Sequence, residues 1–108
     1  MSVETYSISD LLRRRSTEKS FHVVSEDHVR IEFRNMATGE RLASPPFSGN
    51  VVLTCFRGSF LVRTDGAAVP LGPMDQCVMP VDTAAEIECS EDGTIQFIWT
   101  PPFGVPRR

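Results

Sequence analysis

Asn50-Val51-Val52-Leu53-Thr54-Cys55-Phe56, then Arg57-Gly58-Ser59, then Phe60-Leu61-Val62-Arg63, is the stretch whose reading decides the fold. Two runs rich in β-branched and aromatic residues, split by a glycine, predict two short strands with Gly58 as the break between them. The same rhythm continues downstream. Strands are expected at Gln76 to Met79, Ala85 to Cys89 and Thr94 to Thr100, with turns at Asp65-Gly66, Gly72-Pro73, Val81-Asp82 and Asp92-Gly93. Upstream, His28-Val29-Arg30-Ile31-Glu32-Phe33-Arg34 alternates polar with apolar residues, as a half-buried strand does, with Arg30 facing outward. Ser25-Glu26-Asp27 turns this strand back onto Phe21 to Val24 as a hairpin, and Thr38-Gly39 marks the next turn. Short strands at regular intervals specify an all-β sandwich or barrel. Parallel α/β architecture is disfavoured, because crossover helices of about ten residues or more have no room between these strands. Ahead of them, Ser7 or Ser9 caps a helix of about two turns running through Asp10, Leu11 and Leu12 into Arg13, Arg14 and Arg15.

At 108 residues the chain builds one core, and its 41% hydrophobic and 23% charged residues are those of an ordinary globular domain. A formal net charge of -3 speaks against a nucleic-acid partner, which a basic surface would serve. Arg13 to Arg15 are read as a solvated face with no partner assigned. The N-terminal residues lack an apolar run, so neither a signal peptide nor a membrane span is expected, no membrane partner is assigned, and the cytoplasm is the expected compartment. Cys55, Cys77 and Cys89 are odd in number and lie within apolar runs, so reduced buried thiols are expected rather than disulfides.

The stretch from Val51 to Trp99, taken with the residues just before it, resembles the cupin superfamily. That family carries two motifs: Gly-x5-His-x-His-x3 or 4-Glu-x6-Gly and Gly-x5-Pro-x-Gly-x2-His-x3-Asn. Gly39, Pro45, Phe47, Val51 and Gly58 reproduce the spacing of the first, with both glycines in place and every ligand replaced. In the second, Met74 and Asp82 hold the two glycine positions, Pro80 is retained, Ala85 holds the histidine position and Cys89 the asparagine. The resemblance implies an all-β, cupin-type antiparallel β-barrel (a double-stranded β-helix or jelly roll) with a short N-terminal helix. It implies a single domain over residues 1–108, with an arm over 1–20, the barrel over 21–100 and a tail over 101–108. A cyclic-nucleotide-binding barrel is the other candidate, but its glycine-rich phosphate cassette with Glu and Arg has no counterpart here.

Pro45, Phe47, Val51 and Ala85 offer no side-chain lone pair, so the metal site that the resemblance implies has no ligands left, and no metal or other cofactor is expected. A site rebuilt from His22, His28 and Glu26 is disfavoured, since unpaired histidines are usually structural or exposed. If Val51 faces inward as the family's glutamate does, alternation turns Leu53 and Cys55 inward too, and Ala85 brings Ile87 and Cys89. On the last strand Phe97 and Trp99 are set inward with Ile95. The predicted ligand-binding lining is therefore Pro45, Phe47, Val51, Leu53, Cys55, Ala85, Ile87, Cys89, Phe97 and Trp99.

Such an interior either fills itself or opens as an apolar pocket. Cys55 and Cys89 lack the neighbouring cation that would activate a thiolate, so they read as small buried hydrophobes and no catalytic residue is assigned. The expected function is that of a metal-independent barrel binding a small, largely apolar molecule, or of a dimeric interaction module. The homodimer follows from the resemblance and from an edge strand expected within Phe21 to Arg34. The alternative is a small metal-free enzyme of the isomerase or epimerase kind, with acid-base chemistry at His22 or His28.

Overall fold

The structure is a computed structural model that describes residues 5–25, 29–44, 49–79 and 81–100. Among the described residues one helix, α1 (Ile8–Arg14), precedes seven strands: β1 (Ser20–Ser25), β2 (Arg30–Met36), β3 (Arg41–Ser44), β4 (Asn50–Thr64), β5 (Ala67–Leu71), β6 (Gln76–Met79) and β7 (Ala85–Thr100). The Ser7 hydroxyl caps α1 by accepting from the Asp10 N–H at 3.2 Å, which settles the choice between the two serines. Among the described residues no helix is long and apolar enough to cross a membrane.

All pairings are antiparallel, in the order β1-β2-β7-β4-β5, with β3 also on β7 and β6 also on β4. The spine is β4 against β7, paired from Asn50↔Thr100 to Arg63↔Glu86. Here the structure corrects the sequence reading. Gly58 and Asp92-Gly93 do not end strands; each lies inside one long strand, where the register shifts between Cys55 and Phe60. An extra residue in one strand kinks it and raises its twist without ending it. At this corner the two glycines lie against each other. A Cβ on Gly58 would stand 2.3 Å from the Asp92 carbonyl oxygen, and one on Gly93 would stand 2.1 Å from that of Arg57.

The corner divides the sheet into two layers. The first holds β1, β2, β6, the start of β4 and the end of β7; the second holds β3, β5, the end of β4 and the start of β7. Both feed one core. Leu53, Cys55, Ile95 and Phe97 come from the first layer and Phe60, Val62, Ile87 and Cys89 from the second. β3 and β5, which carry no clear alternation, are strands that the sequence reading did not place. Each adds to one neighbour only, at the margin of the second layer.

A further correction concerns β2. Cross-strand partners share a face, and β2 pairs Arg30↔Trp99, Glu32↔Phe97 and Arg34↔Ile95. Its charged residues therefore lie on the face of the main core, while Ile31 and Phe33 lie on the other. Phe33 is fully buried there, stacked on Phe21 at 5.2 Å and tilted against Phe56 at 5.8 Å. The residues after α1 complete this outer site. The Arg15 guanidinium sits 4.5 Å above the Phe21 ring, and Asn35 Nδ2 donates to the Arg15 and Glu18 carbonyls at 3.1 and 2.6 Å.

Candidate functional site

Of the predicted lining, the fold brings Val51, Leu53, Cys55, Ala85, Ile87, Cys89 and Phe97 into one buried cluster, with Trp99 packed half-buried against it. Pro45 and Phe47 lie outside the described residues, as do His28, Glu26 and Asp27. Register sets the arrangement of the rest. Val51 stands opposite Trp99, Leu53 opposite Phe97 and Cys55 opposite Ile95, so the spine presents three apolar rungs to the interior. Phe97 and Trp99 stack at 5.3 Å with planes 12° apart, a flat aromatic surface whose outer member is still open to solvent.

The other end of the interior, at the glycine corner, belongs to the thiols. Cys55 Sγ donates to the Arg57 and Gly58 carbonyls at 3.3 and 3.4 Å, and Cys89 Sγ donates to the Glu91 carbonyl at 3.0 Å and to that of Met36 at 3.5 Å. The Arg57, Gly58 and Glu91 carbonyls lie in the bulged stretch of β4 and β7, where a sulfhydryl small enough to fit the core supplies a donor. Burial raises both thiol pKa values, helped by Asp75 near Cys55 and Asp92 near Cys89, so the donating, protonated form is the one present at neutral pH. Among the described residues all three cysteines are unbridged, Cys55 and Cys89 buried and Cys77 half-buried with its pKa also raised by burial.

The sequence reading missed Glu32 as a residue of the interior. Only 5% exposed, it stands opposite Phe97 on the core side of β2, with His22 opposite it on β1 and Arg34 Nε 3.3 Å from its Oε2. Arg30 and Arg34 flank it on the same face of the strand. The one signal for this inversion was a second set of aromatic residues, Phe21 and Phe56, available to cover the opposite face.

The family's metal can be tested against the donors these positions offer. Val51 and Ala85 do point into the core, where the resemblance places a glutamate and a histidine, and neither has a lone pair to give. Among the described residues no three His, Cys, Asp or Glu side chains group closely enough to hold a metal ion. The residues present do not fit the family's metal.

The backbone of the two motifs tells a different story from their side chains. Gly39 and Gly58, the glycines of the first motif, have φ of 91° and 74°. Met74 and Asp82, which occupy the glycine positions of the second, have φ of 70° and 56° and are the non-glycine residues with positive φ among those described. Left-handed backbone costs an ordinary L-residue roughly 1–2 kcal/mol. The four positions thus share left-handed backbone, whether or not a glycine occupies them.

Comparison with solved structures agrees. A cupin superfamily protein from Desulfitobacterium hafniense superposes with a TM-score of 0.72 at 19% identity, over 76% of this chain and 75% of that one. An RmlC-like cupin from Desulfovibrio desulfuricans gives 0.69 at 18% identity, over 78% and 82%. A protein of unknown function from Rhizobium leguminosarum gives 0.70 at 24% identity, over 94% and 99%. No family model and no curated protein matches the sequence. The chain is an all-β protein with a short N-terminal helix, and its fold is that of the cupin superfamily.

Proposed function

We propose that this protein is a metal-independent cupin barrel that binds a small, largely apolar molecule between the Val51, Leu53, Phe97 and Trp99 rungs. The observation that carries this reading is Trp99: a large aromatic side chain that stays only half-buried at one end of an apolar interior and is stacked on a buried phenylalanine. Covering such a surface removes apolar area from water at about 25 cal/mol per Å2. Glu32 and Arg30 give the ligand polar groups to orient against.

Trp99 is the one tryptophan of the chain, which makes it a built-in reporter. Titration with 8-anilinonaphthalene-1-sulfonate, an anionic probe with an apolar ring system, is expected to change its emission saturably, and Ala85→Val to weaken the effect by narrowing the interior. An emission that never responds would leave the barrel filled by its own side chains, with the protein serving as an interaction module. In that case β1, one of the two edge strands of the first layer, is the proposed site of homodimer pairing. Light scattering reads that directly.

A second reading rests on the β1–β2 register, which sets His22 opposite the buried Glu32. A histidine and a carboxylate on one face suit acid-base chemistry at the edge of the interior. An enzyme of this kind would lose turnover in both His22→Ala and Glu32→Gln while still binding the probe.

A further inference from the structure

The bulge in β4 re-aims a cation on the outer face of the first layer. Cys55 pairs with Ile95 and Arg57 with Thr94, so Phe56 is the extra residue. In a regular strand neighbouring side chains point to opposite faces, and a bulge overrides that alternation. Here Phe56 and Arg57 reach the same face. Phe56 meets Phe33, and Arg57 Nη2 donates to Thr94 Oγ1 at 3.2 Å. The fully buried Thr94 donates in turn to Asn35 Oδ1 at 2.6 Å, and Asn35 stands opposite it on β2, two residues beyond Phe33. Register and hydrogen bonds agree on where the Arg57 guanidinium lies.

It lies at a cleft of about 290 Å3, lined from the corner by Arg57 and Asp92, from β2 by Asn35, and from the residues after α1 by Ser16 and Thr17. The charged and amide groups around Arg57 are already committed. Asn35 Nδ2 donates to the Arg15 and Glu18 carbonyls, Glu18 is clasped by Arg15 at 2.8 and 3.0 Å, and Glu40 is paired with Lys19. Asp92 Oδ1 accepts from the Thr38 N–H and hydroxyl at 2.7 Å each. Arg57 differs. It is exposed, enters no ion pair among the described residues, and spends on Thr94 one of its five N–H donors.

A guanidinium with free donors takes a carboxylate or a phosphate in a bidentate manner. Charge decides between them. Glu18 and Glu40 have cations of their own, while the Thr38 donors and, more weakly, the Arg57 charge hold the Asp92 carboxyl below its usual value. An ionised Asp92 beside Arg57 repels a doubly charged guest more than a singly charged one. The volume is at the lower edge of the roughly 300–1,000 Å3 of drug-sized sites, so the guest is small. We propose that this cleft binds a small hydroxy acid, its carboxylate on the Arg57 fork and its hydroxyl toward Ser16 and Thr17. The site is on the face of the sheet away from the Val51 and Trp99 rung, so it does not require an open interior.

The test titrates the full chain at neutral pH and constant ionic strength with sodium lactate, with sodium propionate, which lacks only the hydroxyl, and with sodium phosphate. Arginine side-chain Nε–H signals are followed by NMR. Lactate is expected to shift Arg57 saturably and to leave Arg63, already held by Glu86 and Glu88, unmoved. Propionate and phosphate are each expected to bind several-fold more weakly than lactate. Arg57→Gln is expected to weaken lactate binding roughly tenfold or more, as loss of a charged hydrogen bond does, and Arg57→Lys to recover part of it by restoring the charge without the fork. Neither variant strands a buried group, because Thr94 keeps its bond to Asn35. Lactate shifts that drift without saturating, that fall equally on Arg63, or that persist unchanged in Arg57→Gln overturn the site. Propionate or phosphate binding as tightly as lactate overturns the assignment of a hydroxy acid.

Discussion

The two layers share a core and differ on their outer faces. Outside the second layer, Arg41, Arg63, Glu86 and Glu88 form a ladder of opposite charges across β3, β7 and β4, closest at 2.6 Å between Arg63 and Glu88. Outside the first layer the same spine carries apolar groups. Phe33, Phe21 and Phe56 pack together beside the arm that follows α1, and Ile31, Ile98, Val52 and Val78 run in register across four strands to a 65% exposed Val78. The second layer is finished against water by charge. The first needs something laid over it, and residues 15–21 supply part of that cover. A strand between a core and such a cover is apolar-facing on both sides, which is how β2 comes to turn its charges inward.

The hardest way to break this arrangement is at the corner where the layers join. Gly93→Ala drives a Cβ into the Arg57 carbonyl, and backbone on both sides leaves little room to yield. Its cost is expected at or above the roughly 4–5 kcal/mol that marks exceptional substitutions, read as failure to fold or as a collapse of the urea midpoint.

Next is Phe33→Ala. Although Phe33 lies outside the main core cluster, it is fully buried, and the loss is expected near 3–5 kcal/mol. Limited proteolysis is expected to cut first within residues 15–19, since the surface they lean on has gone. A loss below about 1 kcal/mol would show that the outer face of the first layer is decoration.

Arg63→Ala, on the opposite layer, is the contrasting case: a solvent-exposed ion pair contributes little, so the urea midpoint is expected to shift only slightly, and less still in high salt. The pH dependence points the same way. The Arg63 guanidinium holds the Glu88 carboxyl below its usual value, and Lys19 does the same for Glu40, aided by the Ala37 N–H. A depressed carboxylate pKa stabilises the fold above the unfolded-state value, about 4.5 here, and that contribution is lost as pH falls through the lowered folded-state value. A small fall in melting temperature below pH 4.5 is expected, and it should be reduced in Arg63→Ala.

Much of this was legible in the chain itself. The β4 and β7 segments were placed by their β-branched runs. Motif spacing also picks out Gly39, Gly58, Met74 and Asp82, the positions at which the backbone takes a positive φ. Alternation could not give the phase of β2, because a period of two identifies a face without saying which of two apolar surfaces it meets. Glu32 escapes the predicted interior for that reason. β3 and β5 escaped because strands paired on one side bury little; β5 even carries Pro70, which an edge tolerates. Gly58 and Gly93 read as turns because a glycine serves a turn and a close crossing equally well.

The pairing of β4 with β7 also bears on how fast the chain reaches this structure. Its nearest partners, Arg63 and Glu86, are 23 residues apart, and its farthest, Asn50 and Thr100, are 50 apart, so nearly every rung closes a long loop. Topologies dominated by such non-local pairs fold in milliseconds to seconds. The shortest loop puts the start of the zipper at the charged second layer, and the corner must then be passed before Leu53 and Phe97 can meet. A slow corner leaves the greasiest rungs of the spine exposed longest, so at high concentration refolding yield, rather than equilibrium stability, is where this fold is most easily lost.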